Sequence, residues 1–316
     1  MIVTVTLNPS LDRTIDISAL ARGAVIRAAS ARLDPAGKGV NVARALLANG
    51  KRSRAVLSCG GDDGQRLVRM LAAEGVDMLA VPIAGSTRSN ITLSEPDGTV
   101  TKINELGPSL SKDELDTVAA AVLDCDVPGG WVAVCGSLPP GVPADAYADL
   151  CVRFRAAGRR VAVDTSGAAL LDAVAAGPAV VKPNQEELGE AVGAPLRNLG
   201  EVIEAAQQLR TWGAGAVLAS LGAHGAVLVD DHGAVMGDSP VLGPRSTVGA
   251  GDALLAGFLA AGARGPEALA EALAWGAAAV SLPGSRMPRA EDIRRDRVRI
   301  HNRPDFHRAM TLPLPA

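Results

Sequence analysis

Short apolar runs alternate along the chain with longer stretches in which apolar positions return every three or four residues. The short runs at 2–7, 54–58, 131–135, 160–164, 179–182 and 216–220 read as strands. The longer ones at 40–48, 65–73, 144–157, 199–212, from 248 onward and 266–280 read as helices. Gly50, Gly75 and Gly158 fit as helix stops. Strands this continuously apolar, alternating with helices, predict a mostly parallel sheet covered on both faces. One stretch breaks the rhythm. In 89–104, Ile91, Leu93, Val100 and Ile103 alternate with Thr92, Ser94, Thr101 and Lys102 around Glu95-Pro96-Asp97-Gly98. That pattern predicts two antiparallel strands and a turn, with one face toward solvent, a ligand or a partner. Segments 12–17 and 25–33 could add strands to this flap, and Ser111-Lys112-Asp113-Glu114 predicts a capping box opening the next helix.

Composition narrows the function classes. The 316 residues are 48% hydrophobic and 21% charged, with a formal net charge of −3, which gives no electrostatic footprint for nucleic acid. A membrane span needs about 20 consecutive apolar residues. The longest run, 253–263, is about half that and follows Asp252. The start of the chain lacks the basic segment of a signal peptide, so the expected compartment is the cytoplasm. Cys59, Cys125, Cys135 and Cys151 have no metal-ligand spacing and are expected to be small buried residues. The arginine-rich tail from Arg289, ending Thr311-Leu312-Pro313-Leu314-Pro315, is expected to be a solvated face and a frayed terminus.

Four segments carry candidate chemistry. In Thr247-Val248-Gly249-Ala250-Gly251-Asp252, glycines next to a helix start make an anion cradle. Asp252 would then stand beside the anion as a proton acceptor, or else be an ordinary helix-start residue. Ala36-Gly37-Lys38-Gly39-Val40-Asn41 places Asn41 one helical turn in, within reach of a sugar hydroxyl, or forms a plain loop with a solvent-facing lysine. In Lys182-Pro183-Asn184-Gln185-Glu186-Glu187, Asn184 and Glu187 share a helix face and could hold hydrated Mg²⁺, or could simply cap the helix. Ser220-Leu221-Gly222-Ala223-His224-Gly225 follows a buried strand, where nucleotides gather in open sheets, although His224 alone more often is inert. Neither a dinucleotide fingerprint nor a phosphate-binding G-x-x-x-x-G-K-[ST] loop is present, which argues against a Rossmann oxidoreductase and a P-loop enzyme.

In this order the four segments resemble the ribokinase-like carbohydrate kinase family of PfkB type. Within it they are most similar to the 1-phosphofructokinase and tagatose-6-phosphate kinase branch. Thr6-Leu7-Asn8-Pro9-Ser10-Leu11-Asp12, Thr87-Arg88-Ser89-Asn90, Cys135-Gly136-Ser137-Leu138-Pro139-Pro140-Gly141 and Asp164-Thr165-Ser166-Gly167 extend the resemblance, which runs from residue 1 to about 288. It implies a single three-layer α/β/α domain over 1–316 with a small β lid from about 12–33 and 88–104. It also implies ATP and Mg²⁺ as cosubstrates, and homodimers that pair through the lid. Asp252 matches the family's catalytic base, and Gly249, Ala250 and Gly251 its anion hole. Asp12, Gly37, Lys38 and Asn41 match its sugar-binding positions. Lys182, Asn184 and Glu187 match its phosphate and Mg²⁺ region, and Ser220, Gly222 and Gly225 its nucleotide loop. A substrate that already bears phosphate needs cations; Arg88 is the first candidate, followed by Arg27 and Lys102.

Two positions depart from the wider family, Ser246 in place of aspartate and Ala36-Gly37-Lys38 in place of a glycine pair, and both resemble the same branch. The implied activity is transfer of the ATP γ-phosphate to a ketohexose monophosphate, first of all fructose 1-phosphate. Tagatose 6-phosphate and fructose 6-phosphate are alternatives, and a non-catalytic sugar-phosphate sensor is the rival of another class.

Overall fold

The computed structural model describes residues 1–125, 129–301 and 303–310; the end of the tail, Thr311 to Pro315, lies outside them. In chain order its elements are β1 (Ile2–Thr6), β2 (Ser10–Asp16), β3 (Ser30–Ala36), α1 (Lys38–Ala48), β4 (Ser53–Cys59), α2 (Gly61–Glu74), β5 (Met78–Pro82), β6 (Arg88–Ser94) and β7 (Val100–Asn104). Next come α3 (Lys112–Leu123), β8 (Trp131–Cys135), α4 (Ala146–Ala156), β9 (Arg160–Asp164), α5 (Gly167–Ala175), β10 (Val180–Val181), α6 (Gln185–Val192), α7 (Leu199–Trp212) and β11 (Ala216–Ser220). The chain closes with β12 (Ala226–Asp230), β13 (Gly233–Asp238), α8 (Ala250–Ala260), α9 (Gly265–Val280) and β14 (Arg299–His301).

Strands rich in apolar residues on both faces are stable only where both faces are covered, and the inner strands of the large sheet are built that way. Among the described residues its order is β14-β13-β12-β11-β10-β9-β8-β1-β4-β5. Pairing is parallel from β5 to β11 and antiparallel from β11 to β14. Successive residues of each strand serve opposite layers. Val3, Val5, Val132, Val134, Val161 and Val163 meet Tyr147 and Phe154 of α4, Leu170 of α5 and Leu199 of α7. Ala133, Ala162, Ala216 and Ala226 face the other way. Those small side chains leave room for Phe258 of α8 and Trp275 of α9, both fully buried. The three-layer α/β/α architecture expected from the sequence is present.

The second sheet has the order β3-β2-β6-β7, with β2 and β6 parallel. Its register sorts the side chains into two faces. Asp12 stands between Asp34 and Asn90, and Thr14 between Arg32 and Thr92, which pairs on with Lys102. On the opposite face lie Leu33, Ile15, Ile91, Leu93 and Ile103, together with Arg13 and Thr101. The polar face closes over a cavity of about 680 Å³, whose other wall is Arg245–Val248 and Pro283–Ser285.

Several expectations need correction. The strand expected over 25–33 begins only at Ser30 and runs to Ala36, because β3 pairs with β2 from Ser30↔Asp16 to Ala36↔Ser10. Val25 is 87% exposed, and Arg27 lies in the intervening loop rather than on a strand. The second helix starts at Gly61, before the expected 65. Strands β5, β12, β13 and β14 were not expected. The capping box at Ser111 and Glu114 forms as read.

Candidate active site

The parallel strands β1, β8, β9, β10 and β11 end on one side, and that is where the four motif segments meet. The turn after β1 leads to the second sheet, whose strand β3 passes through Gly37 directly into α1. β9 ends at Asp164, β10 runs into Lys182, and β11 ends at Ser220. An isolated parallel bridge between Asn184 and Ser220 sets the third and fourth segments side by side.

At the centre is a buried charge cluster. Asp164 is fully buried; Lys38 Nζ donates to its Oδ1 at 2.8 Å, and Lys182 Nζ lies 3.1 Å from its Oδ2. Lys38 also reaches Glu187 Oε1 at 3.4 Å. Burial alone would raise the Asp164 carboxyl, but Lys182 and Lys38 outweigh it and hold the group below the usual range. Burial likewise opposes the Lys38 ammonium, and the facing carboxylates of Asp164 and Glu187 overcome it. A Cβ placed on Gly251 would stand 3.4 Å from Lys182 Nζ, so that ammonium lies against the glycine loop.

Asp252 occupies the first turn of α8 and is 7% exposed. Its Oδ2 accepts a hydrogen bond from Asn41 Nδ2 at 2.8 Å. Burial, reinforced by the charge of Asp164, pushes its carboxyl up to about 6 against the pull of Asn41, Lys182 and Lys38. A carboxylate tuned toward neutrality and aimed beside unpaired helix N–H groups can take a proton from an attacking hydroxyl. Gly249 caps α8 at φ +76, a left-handed conformation that side chains strain, so glycine suits the turn; a Cβ there would only push the flexible end of Met287 aside. Ala250 donates its N–H back to Thr247 O at 3.3 Å.

The remaining candidates divide by position. Asp12 lines the cavity, and its Oδ1 accepts from Ser10 Oγ at 2.8 Å and Asn90 Nδ2 at 2.9 Å. Lys102 lines it too, and its ammonium has no partner among the described residues. Arg27 is exposed and similarly unpartnered. Arg88 is not on the cavity wall; its Nη1 donates to Glu105 O at 2.9 Å and its Nη2 to Asn8 O at 3.1 Å, while buried Nε has no partner. Asn184 Oδ1 accepts from Glu187 N, and Glu187 Oε2 accepts from Asn184 N, each at 2.8 Å. The capping box and the shared helix face therefore coexist. Gly222 and Gly225 bracket a tight turn after Ser220. Gly225, at φ +98, rests on β13, where a Cβ would meet Gly237 O at 2.0 Å, so any side chain there would displace this loop.

Three residues escaped the sequence reading. Asp164 stood in a quoted motif without a role, yet a carboxylate ending a buried apolar strand demands cationic partners. Asn90 had a signal in its alternation with Thr92 and Ser94. Arg245 had none. It lines the cavity beside the glycine loop, and its guanidinium has no partner among the described residues.

The chain also has relatives among known proteins. The pattern of the pfkB family carbohydrate kinase matches residues 5–291. The chain is 41% identical over 298 residues to a 1-phosphofructokinase of Rhodobacter capsulatus, covering 92% of this chain and 94% of that one. It is 34% identical to the ATP-dependent 6-phosphofructokinase isozyme 2 of Escherichia coli, covering 93% and 97%. The crystal structure of Escherichia coli phosphofructokinase-2 in complex with substrates and products superposes with a TM-score of 0.87, at 34% identity, over 92% of this chain and 96% of that chain. The family pattern over residues 5–291 and a relative 41% identical along nine-tenths of the chain, on a fold that gathers the four segments at one edge of the sheet, lead to one assignment: the chain belongs to the pfkB family of carbohydrate kinases.

Proposed function

We propose that the protein phosphorylates a ketohexose monophosphate with ATP, fructose 1-phosphate before fructose 6-phosphate or tagatose 6-phosphate. The observation that carries this reading is Asp252, held by Asn41 at 2.8 Å with its carboxyl raised to about 6, at the glycine loop. The sugar hydroxyl gives its proton to Asp252 as its oxygen bonds to the γ-phosphorus. The bond from that phosphorus to the bridging oxygen breaks, and ADP leaves. The N–H groups of Gly249 and Gly251, joined by that of Ala250 once it gives up its long bond to Thr247 O, steady the charge on the moving group with Lys182 against them. Lys38 and Asn41, one turn apart on α1, orient the sugar. Asp12 and Asn90 hold the cavity's floor on the second sheet, which acts as a lid. Lys102 and Arg245 are the unpartnered cations on the cavity wall. With Arg88 and Arg27 they form the pool that can grip the phosphate already on the substrate. The identities to 1-phosphofructokinases of up to 41% support the order of substrates.

Ser220, Gly222 and Gly225 form the nucleotide loop in this reading. Among the described residues no group of three or more His, Cys, Asp or Glu could hold a metal ion by itself. Mg²⁺ carried on nucleotide phosphates needs only one or two carboxylates and keeps several waters. Glu187 fits that need through water; Asn184, already capping α6, would contribute through the same water shell. When bound, the ion neutralises charge between the phosphates.

Among the described residues no helix is long and apolar enough to cross a membrane. The outer face of the lid, mostly apolar around Arg13 and with Ile103 54% exposed, suits pairing with a second copy. A monomeric mass in solution at working concentration would remove the homodimer from this reading.

Two measurements test the function. Coupled ADP release is recorded with fructose 1-phosphate, fructose 6-phosphate and tagatose 6-phosphate in turn. The expected result is the highest kcat/KM with fructose 1-phosphate, and no release with any of them from folded protein would leave the sensor. A pH series on the best substrate should show kcat/KM flat above pH 7 and falling about tenfold per unit below about pH 6, as Asp252 takes up its proton. An unbroken plateau to pH 5 would mean that another group accepts the proton.

A further inference from the structure

Arg44 stands on α1 three residues beyond Asn41, with only 9% of its side chain exposed. Its guanidinium is held on two edges. Nε and Nη2 take the Glu74 carboxylate at the end of α2 in a fork, at 2.6 and 2.8 Å. Nη1 donates to two backbone carbonyls at 3.3 Å each, Pro35 O and Ser285 O. Pro35 lies two residues before Gly37, where lid strand β3 leaves the lid and turns into α1. Ser285 belongs to the loop that forms the opposite wall of the cavity. That loop already touches the lid, since a Cβ on Gly284 would stand 2.2 Å from Arg32 Nη2. One side chain therefore joins the lid's exit, the facing wall of the cavity and the helix that holds Asp252 through Asn41.

We propose that Arg44 is a positioning residue for phosphoryl transfer: oriented by Glu74, it ties the exit of β3 and the loop 283–285 to α1, so that the closed lid and Asp252 come to the substrate in one register. This rests on the kinase reading above. Nothing in the chemistry needs Arg44 itself, because it faces backbone carbonyls and not the cavity. What it supplies is alignment, and small misplacements of a reacting group are costly. Lysine keeps the charge but cannot span the fork and the two carbonyls together.

The test compares Arg44→Lys and Glu74→Gln with wild type. In Arg44→Lys the KM for the sugar phosphate should rise about tenfold while that for MgATP stays within about twofold. ADP release not matched by sugar bisphosphate should also rise, because a loosened lid admits water as acceptor. Glu74→Gln, which leaves Arg44 in place, should move both readouts the same way by less. A role in stability alone would lower Tm and the active fraction without splitting the two KM values; that result, or wild-type KM values in both variants, overturns the proposal. Amide exchange in the ligand-free proteins reads the same clamp without turnover. Faster exchange confined to 30–36, the strand whose amides pair with β2, is expected in Arg44→Lys, and unchanged exchange there overturns the clamp. Wild type that releases no ADP with any sugar phosphate would instead strike the kinase reading and leave the exchange result standing.

Discussion

Asp252→Asn should lower kcat by about 10³-fold, within the range that a lost general base costs, and should leave MgATP affinity within about twofold. The amide keeps the shape of the carboxyl and can still pair with Asn41 Nδ2, so the glycine loop and α8 stay in place. The variant is also expected to be more stable than wild type at neutral pH. Burial and the charge of Asp164 raise the Asp252 carboxyl from its ordinary value of 3.8 to about 6 in the folded chain. The native state therefore binds its proton more readily than the unfolded one, and this group's contribution becomes unfavourable as pH rises from about 4 to about 6. A two-unit shift corresponds to about 3 kcal/mol, which the neutral amide does not incur. The gap in Tm between variant and wild type should shrink as pH is lowered through that window. Turnover above one-tenth of wild type would remove Asp252 from the base role, and a variant less stable at pH 7.5 would contradict the electrostatics.

Asp164→Asn should be the more damaging change for the fold. Its carboxylate is the shared partner of Lys38 and Lys182, and its removal leaves the buried Lys182 without its ion-pair partner and Lys38 with Glu187 alone. Losing one member of a buried ionic cluster costs about 3–5 kcal/mol. Because Lys182 and Lys38 hold the Asp164 carboxyl below its ordinary value, the stability it brings is present above that value and is lost only at acid pH. The catalytic consequence has its own sign. Asp164 raises the Asp252 carboxyl, so taking that charge away must lower it, and the acid limb of kcat/KM should move below pH 6. The limb's position is the informative readout, since slower turnover would follow from almost any disturbance of the two lysines. An acid limb that stays at pH 6 in a folded Asp164→Asn protein would mean the two carboxyls do not sense each other.

Local signals carried much of this into the sequence. The inner strands β1, β4, β8, β9, β10 and β11 were legible because they are short and largely apolar, and the expected bounds of α7, 199–212, match the helix, which Asn198 caps and Gly213 follows. The lid's inner face was legible in the alternation from Ile91 to Ile103. The antiparallel edge was not. Strand β12 is as apolar as its parallel neighbours while β13 carries Gly233, Gly237 and Asp238, and only the pairing across Asp230↔Gly233 shows that the chain doubles back there. The site divides the same way. Glycine loops and helix starts announce themselves within six residues, whereas the Asp164 cluster joins residues 126 apart and depends on which strands the sheet makes adjacent. Arg88 had the right charge beside the right strand, but Glu105 O and Asn8 O take two of its nitrogens, a use that sequence cannot separate from phosphate binding.

The lid has no single stem. Strands β2 and β3 leave the body between β1 and α1, and β6 and β7 leave it between β5 and α3. The halves join through β2 and β6, in pairs such as Asp12 and Asn90 that lie 78 residues apart. Closing so long a loop costs entropy that local contacts do not return, so this pairing is expected only once β1, β4 and β5 have come together. No one cut in the chain frees the lid, and no one segment transplants it. It behaves as a seam between two outgrowths of the body, and it can be shut only on a body already complete.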